Sequence, residues 1–147
     1  LINNQKGVGL IEIIASLVIL AVAVMGFIAL QYRTLEAASE SLNRVEAVNI
    51  ARNLAERMYV SRASYKDCLK SSCSGTTFAG KDWSDVNALA SQRGMNVGVF
   101  TCPDTQNGRQ CIYVAWGETD ANPGSCTETN KFSYKSDAKC VVVEAYQ

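Results

Sequence analysis

The sequence predicts an α+β chain in which a long N-terminal helix packs on a small antiparallel β-sheet held by disulfides. Three observations predict it. Apolar residues crowd positions 8–30, which read VGLIEIIASLVILAVAVMGFIAL with Glu12 as the sole charge. Residues 31–60 contain neither Gly nor Pro and are rich in Ala, Leu, Glu and Arg, all good helix formers. The β-prone runs and all six cysteines (Cys68, Cys73, Cys102, Cys111, Cys126 and Cys140) fall in 61–147. Helical and strand signals that occupy separate parts of a chain indicate α+β rather than α/β.

The first segment is long enough to be a transmembrane helix. A hydrocarbon core of roughly 30 Å needs about 20 helical residues, and 8–30 supplies 23. A cleaved secretory signal is shorter and leaves through small residues. This run instead passes directly into Gln31-Tyr32-Arg33. Lys6 is the only positive charge before it, which favours a cytoplasmic N-terminus. A core helix of uniform apolarity would need more chain around it than 147 residues provide.

Charge and composition exclude several functions. In 61–147 nine Lys and Arg balance nine Asp and Glu, so no basic excess marks a nucleic-acid partner. Histidine is absent, which removes His-based zinc sites and Ser-His-acid catalysis. No Cys-x-x-Cys occurs, so redox or metal chemistry lacks its usual spacing. Gly7-Val8-Gly9 is too short for a phosphate-binding loop. Trp83, Trp116 and the tyrosines read as packing residues, and Ser71–Gly75 as loop. No catalytic, cofactor-binding or metal-ligating residue is expected.

Glu12 is the anomaly, because a carboxylate beside hydrocarbon is costly without a partner. Its surroundings, Gln5-Lys6-Gly7-Val8-Gly9-Leu10-Ile11-Glu12, resemble the processing site of type IV prepilins. The continuation IEIIASLVILAVAVMGF is also similar to that family, particularly its V-type minor pilins. The paired cysteines and the terminal CVVVEAY loosely fit the same subgroup. The resemblance implies a leader of residues 1–7 ending at Gly7, cleavage before Val8 by a prepilin peptidase, and N-methylation of Val8. Glu12 would then be the fifth mature residue, which guides subunit assembly by pairing with a neighbour's N-terminal amine. Pairing with its own Val8 amine is the local alternative. Val8 replaces the phenylalanine of major pilins, and the span lacks their proline, offering Gly26 nearby. Both departures fit a minor subunit.

Beyond the span, 31–60 continues the helix as an amphipathic segment. Leu35, Ala38, Leu42 and Val45 follow a three-four rhythm, and Val48, Ala51, Leu54, Ala55 and Met58 extend it with slight drift. From Val8 to Val60 this helix would run roughly 80 Å at 1.5 Å per residue. The expected arrangement places the C-terminal half of the stripe under the sheet. A free coiled-coil stalk is the alternative; about four heptads are available, heavy in alanine.

The rest, 61–147, reads as a disulfide-stapled, β-rich soluble domain. Residues 61–81 read as loop, and 83–90 as a short helix ending before Gly94. Met95–Thr101 and Gln110–Trp116 read as strands around a Pro103–Gly108 turn. Phe132–Tyr134 and Lys139–Tyr146 are further strand candidates, for three or four strands in all. Six cysteines allow 15 pairings. Proximity along the chain selects Cys68–Cys73, Cys102–Cys111 and Cys126–Cys140.

These readings, with the resemblance, lead to a minor pilin that serves type IV pilus assembly, priming or modification. The implied partners are the prepilin peptidase, other minor and major pilins, the inner-membrane assembly platform and the lipid bilayer. The subunit would sit in the inner membrane with its domain in the periplasm, then in the fibre or its tip. A pseudopilin of a type II-like secretion system is the alternative, followed by a membrane-tethered binding module.

Overall fold

The computed structural model describes residues 9–65, 78–103 and 108–145. Gly7, Val8, Cys68, Cys73 and Tyr146 lie outside the described residues, as do positions 104–107 of the expected turn. The chain divides into two compact units, one ending at Ser41 and the other beginning at Leu42.

Helix α1 runs unbroken over Leu10–Val60. Its first turn forms on the Gly9 carbonyl, which accepts from the Glu12 amide at 2.9 Å. With no Gly between Gly26 and Val60 and no Pro within the helix, nothing in the sequence interrupts the hydrogen-bond ladder. A further turn at 62–65 follows, closed by the Tyr65 amide on the Ser61 carbonyl at 3.2 Å.

In the first unit the described residues are all helix apart from Gly9, and their large apolar side chains from Leu10 to Leu35 are exposed. The most apolar 18-residue window of α1 has mean hydropathy 2.9, and none of it is buried.

The second unit holds the core. The C-terminal part of α1 contributes Ala47, Ile50, Ala51, Leu54 and Met58. Helix α2, Phe78–Gln92, adds Ala79, Val86 and Ala90. The sheet has the order β1 (Met95–Thr101), β2 (Gln110–Trp116), β3 (Cys140–Ala145), antiparallel throughout. Strand alternation sorts β2: Ile112, Val114 and Trp116 join the helices, whereas Cys111, Tyr113 and Ala115 face a second cluster with Cys102, Ala121, Cys126 and Cys140. A strand covered on both faces reads as a continuous apolar run, which explains CIYVAW.

Three expectations change. Helix α2 begins at Phe78, five residues before the expected start, despite Gly80. Ala79 is buried in the core, and Asp82 accepts from Arg57 of α1 at 2.8 Å, so tertiary contacts offset the poor local propensity. The fourth strand candidate makes only an isolated bridge, Thr127 to Tyr134. The drifting stripe of α1 is two faces: Leu35, Leu42 and Val45 are exposed, and burial starts at Ala47.

Candidate functional site

Glu12 occupies the first turn of α1, where the positive end of the helix dipole favours a negative charge. It lines a shallow groove along one side of the helix with Ile13, Ser16, Leu17 and Leu20. Ser16 is the one polar neighbour there, and its Oγ donates to the Glu12 backbone carbonyl at 2.8 Å. That bond occupies the hydroxyl, so it does not serve the carboxylate. Among the described residues the Glu12 carboxylate has no hydrogen-bond or ion-pair partner. The arrangement is a lone acidic group on an uncovered apolar rod. It can bind a cation or a protonated amine supplied from outside this segment.

The rod also matches recognised sequence patterns. Residues 2–28 match the model of the prokaryotic N-terminal methylation motif. Residues 29–140 match the model of the type IV pilin Tt1218 family. The chain belongs to that family. No curated protein and no solved structure matches it. Type IV pilins are structural subunits. The motif implies processing by a prepilin peptidase and assembly with other pilins, and with the apolar helix it marks a membrane-anchored subunit.

The other expected site residues of this pilin are staples in the second unit. Cys102 joins Cys111 with Cα atoms 4.9 Å apart, and Cys126 joins Cys140 at 5.9 Å. The first bond staples the turn end of the β1–β2 hairpin, joining the residue after Thr101 to Cys111, which pairs with Phe100. The second ties the long 117–139 connection to the start of β3. The expected Cys68–Cys73 pair lies outside the described residues. Among the described residues no group of three or more His, Cys, Asp or Glu side chains is placed to hold a metal.

Ion pairs join the helices of this unit. Arg57 bonds Asp82 at 2.8 Å and approaches Asp85 at 3.8 Å, and Arg93 bonds Glu46 at 2.8 Å. Beside the first pair lies Tyr65, only 1% exposed, whose hydroxyl has no hydrogen-bond partner among the described residues. Burial pushes its phenol up to about 12, and the nearby Asp82 carboxylate adds to the rise without reaching hydrogen-bond geometry.

Sequence reasoning missed the residues that hold the 117–139 connection. Asn96 donates Nδ2 to the Thr119 carbonyl at 3.1 Å and accepts the Ala121 amide on Oδ1 at 2.6 Å. Two residues on, Gly98 lets the Ala121 carbonyl press against β1 where no side chain would fit. The available signal was an Asn and a Gly on the same face of a β-prone run, both poor strand formers. Tyr134, expected only as part of a strand, has a contact that strand propensity did not indicate. Its hydroxyl accepts the Val142 amide at 3.1 Å, covering a polar group on the outer edge of β3.

Proposed function

We propose that this chain is a minor pilin, a low-copy subunit that primes or modifies a type IV pilus and is not an enzyme. The observation that carries the reading is the unpartnered Glu12 carboxylate on the otherwise uncharged, uncovered Leu10–Leu30 stretch of α1. In hydrocarbon that charge costs several kcal/mol, about the size of the roughly 4 kcal/mol attraction of an amine at 4 Å in an effective dielectric of 20. The two nearly cancel when the pair forms, and the cost stands when it does not. Glu12 therefore sets the axial register of a subunit more than it adds stability. The amine is the Val8 terminus of a neighbouring subunit, freed by cleavage after Gly7 and N-methylated.

Before assembly the subunit sits in the bacterial inner membrane with its disulfide-stapled domain in the periplasm. The assembly platform then inserts it among other minor and major pilins, at the tip or within the fibre. No cofactor takes part.

Mass spectrometry of sheared fibres tests this. The expected form begins at Val8, and Glu12→Ala is expected to lower its recovery in fibres at least tenfold while leaving its membrane level unchanged. Unchanged incorporation of Glu12→Ala refutes the register role. Recovery with a secretion complex instead of with pili identifies a pseudopilin, and recovery with neither leaves a membrane-tethered binding module.

A further inference from the structure

The two edges of the sheet are finished differently. Strand β3 is guarded: the Tyr134 hydroxyl accepts its Val142 amide at 3.1 Å, and it carries the charged Glu144, paired with Arg109 at 2.8 Å. Strand β1, at the other edge, reads MNVGVFT, seven residues without a charge or a proline. Charged side chains and prolines are the usual means of keeping an exposed edge from pairing, and β1 lacks both.

The register shows which main-chain groups this edge presents. The Cys102 amide donates to the Arg109 carbonyl at 2.8 Å, so Phe100 with Cys111, Gly98 with Tyr113 and Asn96 with Ala115 are hydrogen-bonded pairs as well. Alternation turns the N–H and C=O groups of Val97 and Val99 away from β2. Among the described residues those groups have no hydrogen-bond partner. The Val97 and Val99 side chains pack against the helix-facing cluster, and Phe100 on the other face meets Tyr113 edge to face at 5.7 Å. The edge is thereby held in the extended form that a further strand requires.

We propose that β1 receives an extended, uncharged segment of a partner protein as a fourth strand. Only an extended main chain presents alternating donors and acceptors at the spacing of Val97 and Val99, and main-chain bonds then supply most of the affinity. An uncharged segment follows because β1 offers no ion to pair with, and a charge set beside it loses water without gaining a counter-ion. A second copy of this chain does not fit. Two β1 edges join antiparallel about a two-fold axis normal to the sheet, which sends the α1 segments beneath the two sheets in opposite directions. Both copies could not then start from one membrane. The proposal concerns the soluble domain and holds whether the chain enters a pilus, a secretion complex or neither.

Amide exchange measured by NMR on the detergent-solubilised full-length chain tests it, with the capped peptide Thr-Val-Thr-Val-Thr-Val-Thr as probe. At about 1 mM peptide, which fills a site of sub-millimolar Kd, the Val97 and Val99 amides are expected to exchange at least about tenfold more slowly. The Glu144 amide, on the guarded edge, is expected to be unchanged. Val99→Pro removes one outward donor without touching a β1–β2 bond, and Thr101→Pro does the same at an exposed position. Each is expected to keep the domain's urea transition and to lower the protection of Val97 at least about fivefold. Equal protection at both edges, none in the unaltered chain, or full protection in a folded proline variant overturns the proposal. Slow exchange of Val97 and Val99 in the chain alone, unchanged on dilution, puts another part of the same chain on the edge and overturns it too. Protection that grows with chain concentration identifies a second copy and overturns the separate partner.

Discussion

Replacing Gly98 with alanine places a Cβ 2.2 Å from the Ala121 carbonyl oxygen and 2.7 Å from the Phe100 ring. The ring can turn aside, but the carbonyl is backbone. An ordinary carbon–oxygen contact is about 3.3–3.6 Å, so the connection must retreat by more than about 1 Å. It is held where it is by Asn96, which bonds Thr119 at 3.1 Å and Ala121 at 2.6 Å. Losing both bonds costs about 1 kcal/mol each, and the remaining overpacking about 1–3 kcal/mol. The expected total is about 3–5 kcal/mol, a large part of the stability of a domain this size. Urea unfolding of the detergent-solubilised chain, followed by the fluorescence of core Trp116, measures it. Gly26→Ala is the control: its Cβ meets nothing within 4 Å. It is expected to leave the domain's transition unmoved. A loss below about 1 kcal/mol for Gly98→Ala would refute the close approach as the reason for glycine.

Leu54→Ala empties a site that is 0% exposed and is expected to cost about 3 kcal/mol in the same assay. Leu42→Ala, at a side chain 70% exposed, is expected to change domain stability by less than about 0.5 kcal/mol. Tyr65 gives the domain an alkaline limit. Its folded phenol is raised to about 12 from the ordinary 10.0, so its contribution is complete below pH 10 and declines as the unfolded tyrosine ionises first. Stability should fall by up to about 1.4 kcal/mol per pH unit between those values. Tyr65→Phe should flatten that fall without loss at pH 7, as read from unfolding at pH 7, 10 and 11.5.

Much of the domain was legible because its signals are local. Met95–Thr101 and Gln110–Trp116 combine β-prone residues with a turn between them, and they form strands over those bounds. The N-terminal run was legible for the same reason, since length, apolarity and one charge suffice to define it. Phe132–Tyr134 misled because its strand propensity serves a different contact. Its two rings meet edge to face at 5.9 Å, and the Tyr134 hydroxyl reaches β3 from outside the sheet. Phe78–Lys81 was missed for the opposite reason, as a start weakened by Gly80 is held by burial of Ala79 and by the adjacent Arg57–Asp82 pair.

The sequence by itself determined a helix from the apolar run onward, an antiparallel sheet and the position of one acidic group near the helix start. Those follow from residue spacing, which needs no knowledge of what lies across space. Only the tertiary structure decided which side of α1 the domain covers. Ala47, Ile50 and Leu54 differ from Leu42 and Val45 by a rotation about the helix axis rather than by hydrophobicity, and only packing against the sheet distinguishes the two sides. It likewise decided that Asn96 and Gly98 hold a connection more than 20 residues away in sequence, because a close backbone approach has no local signature.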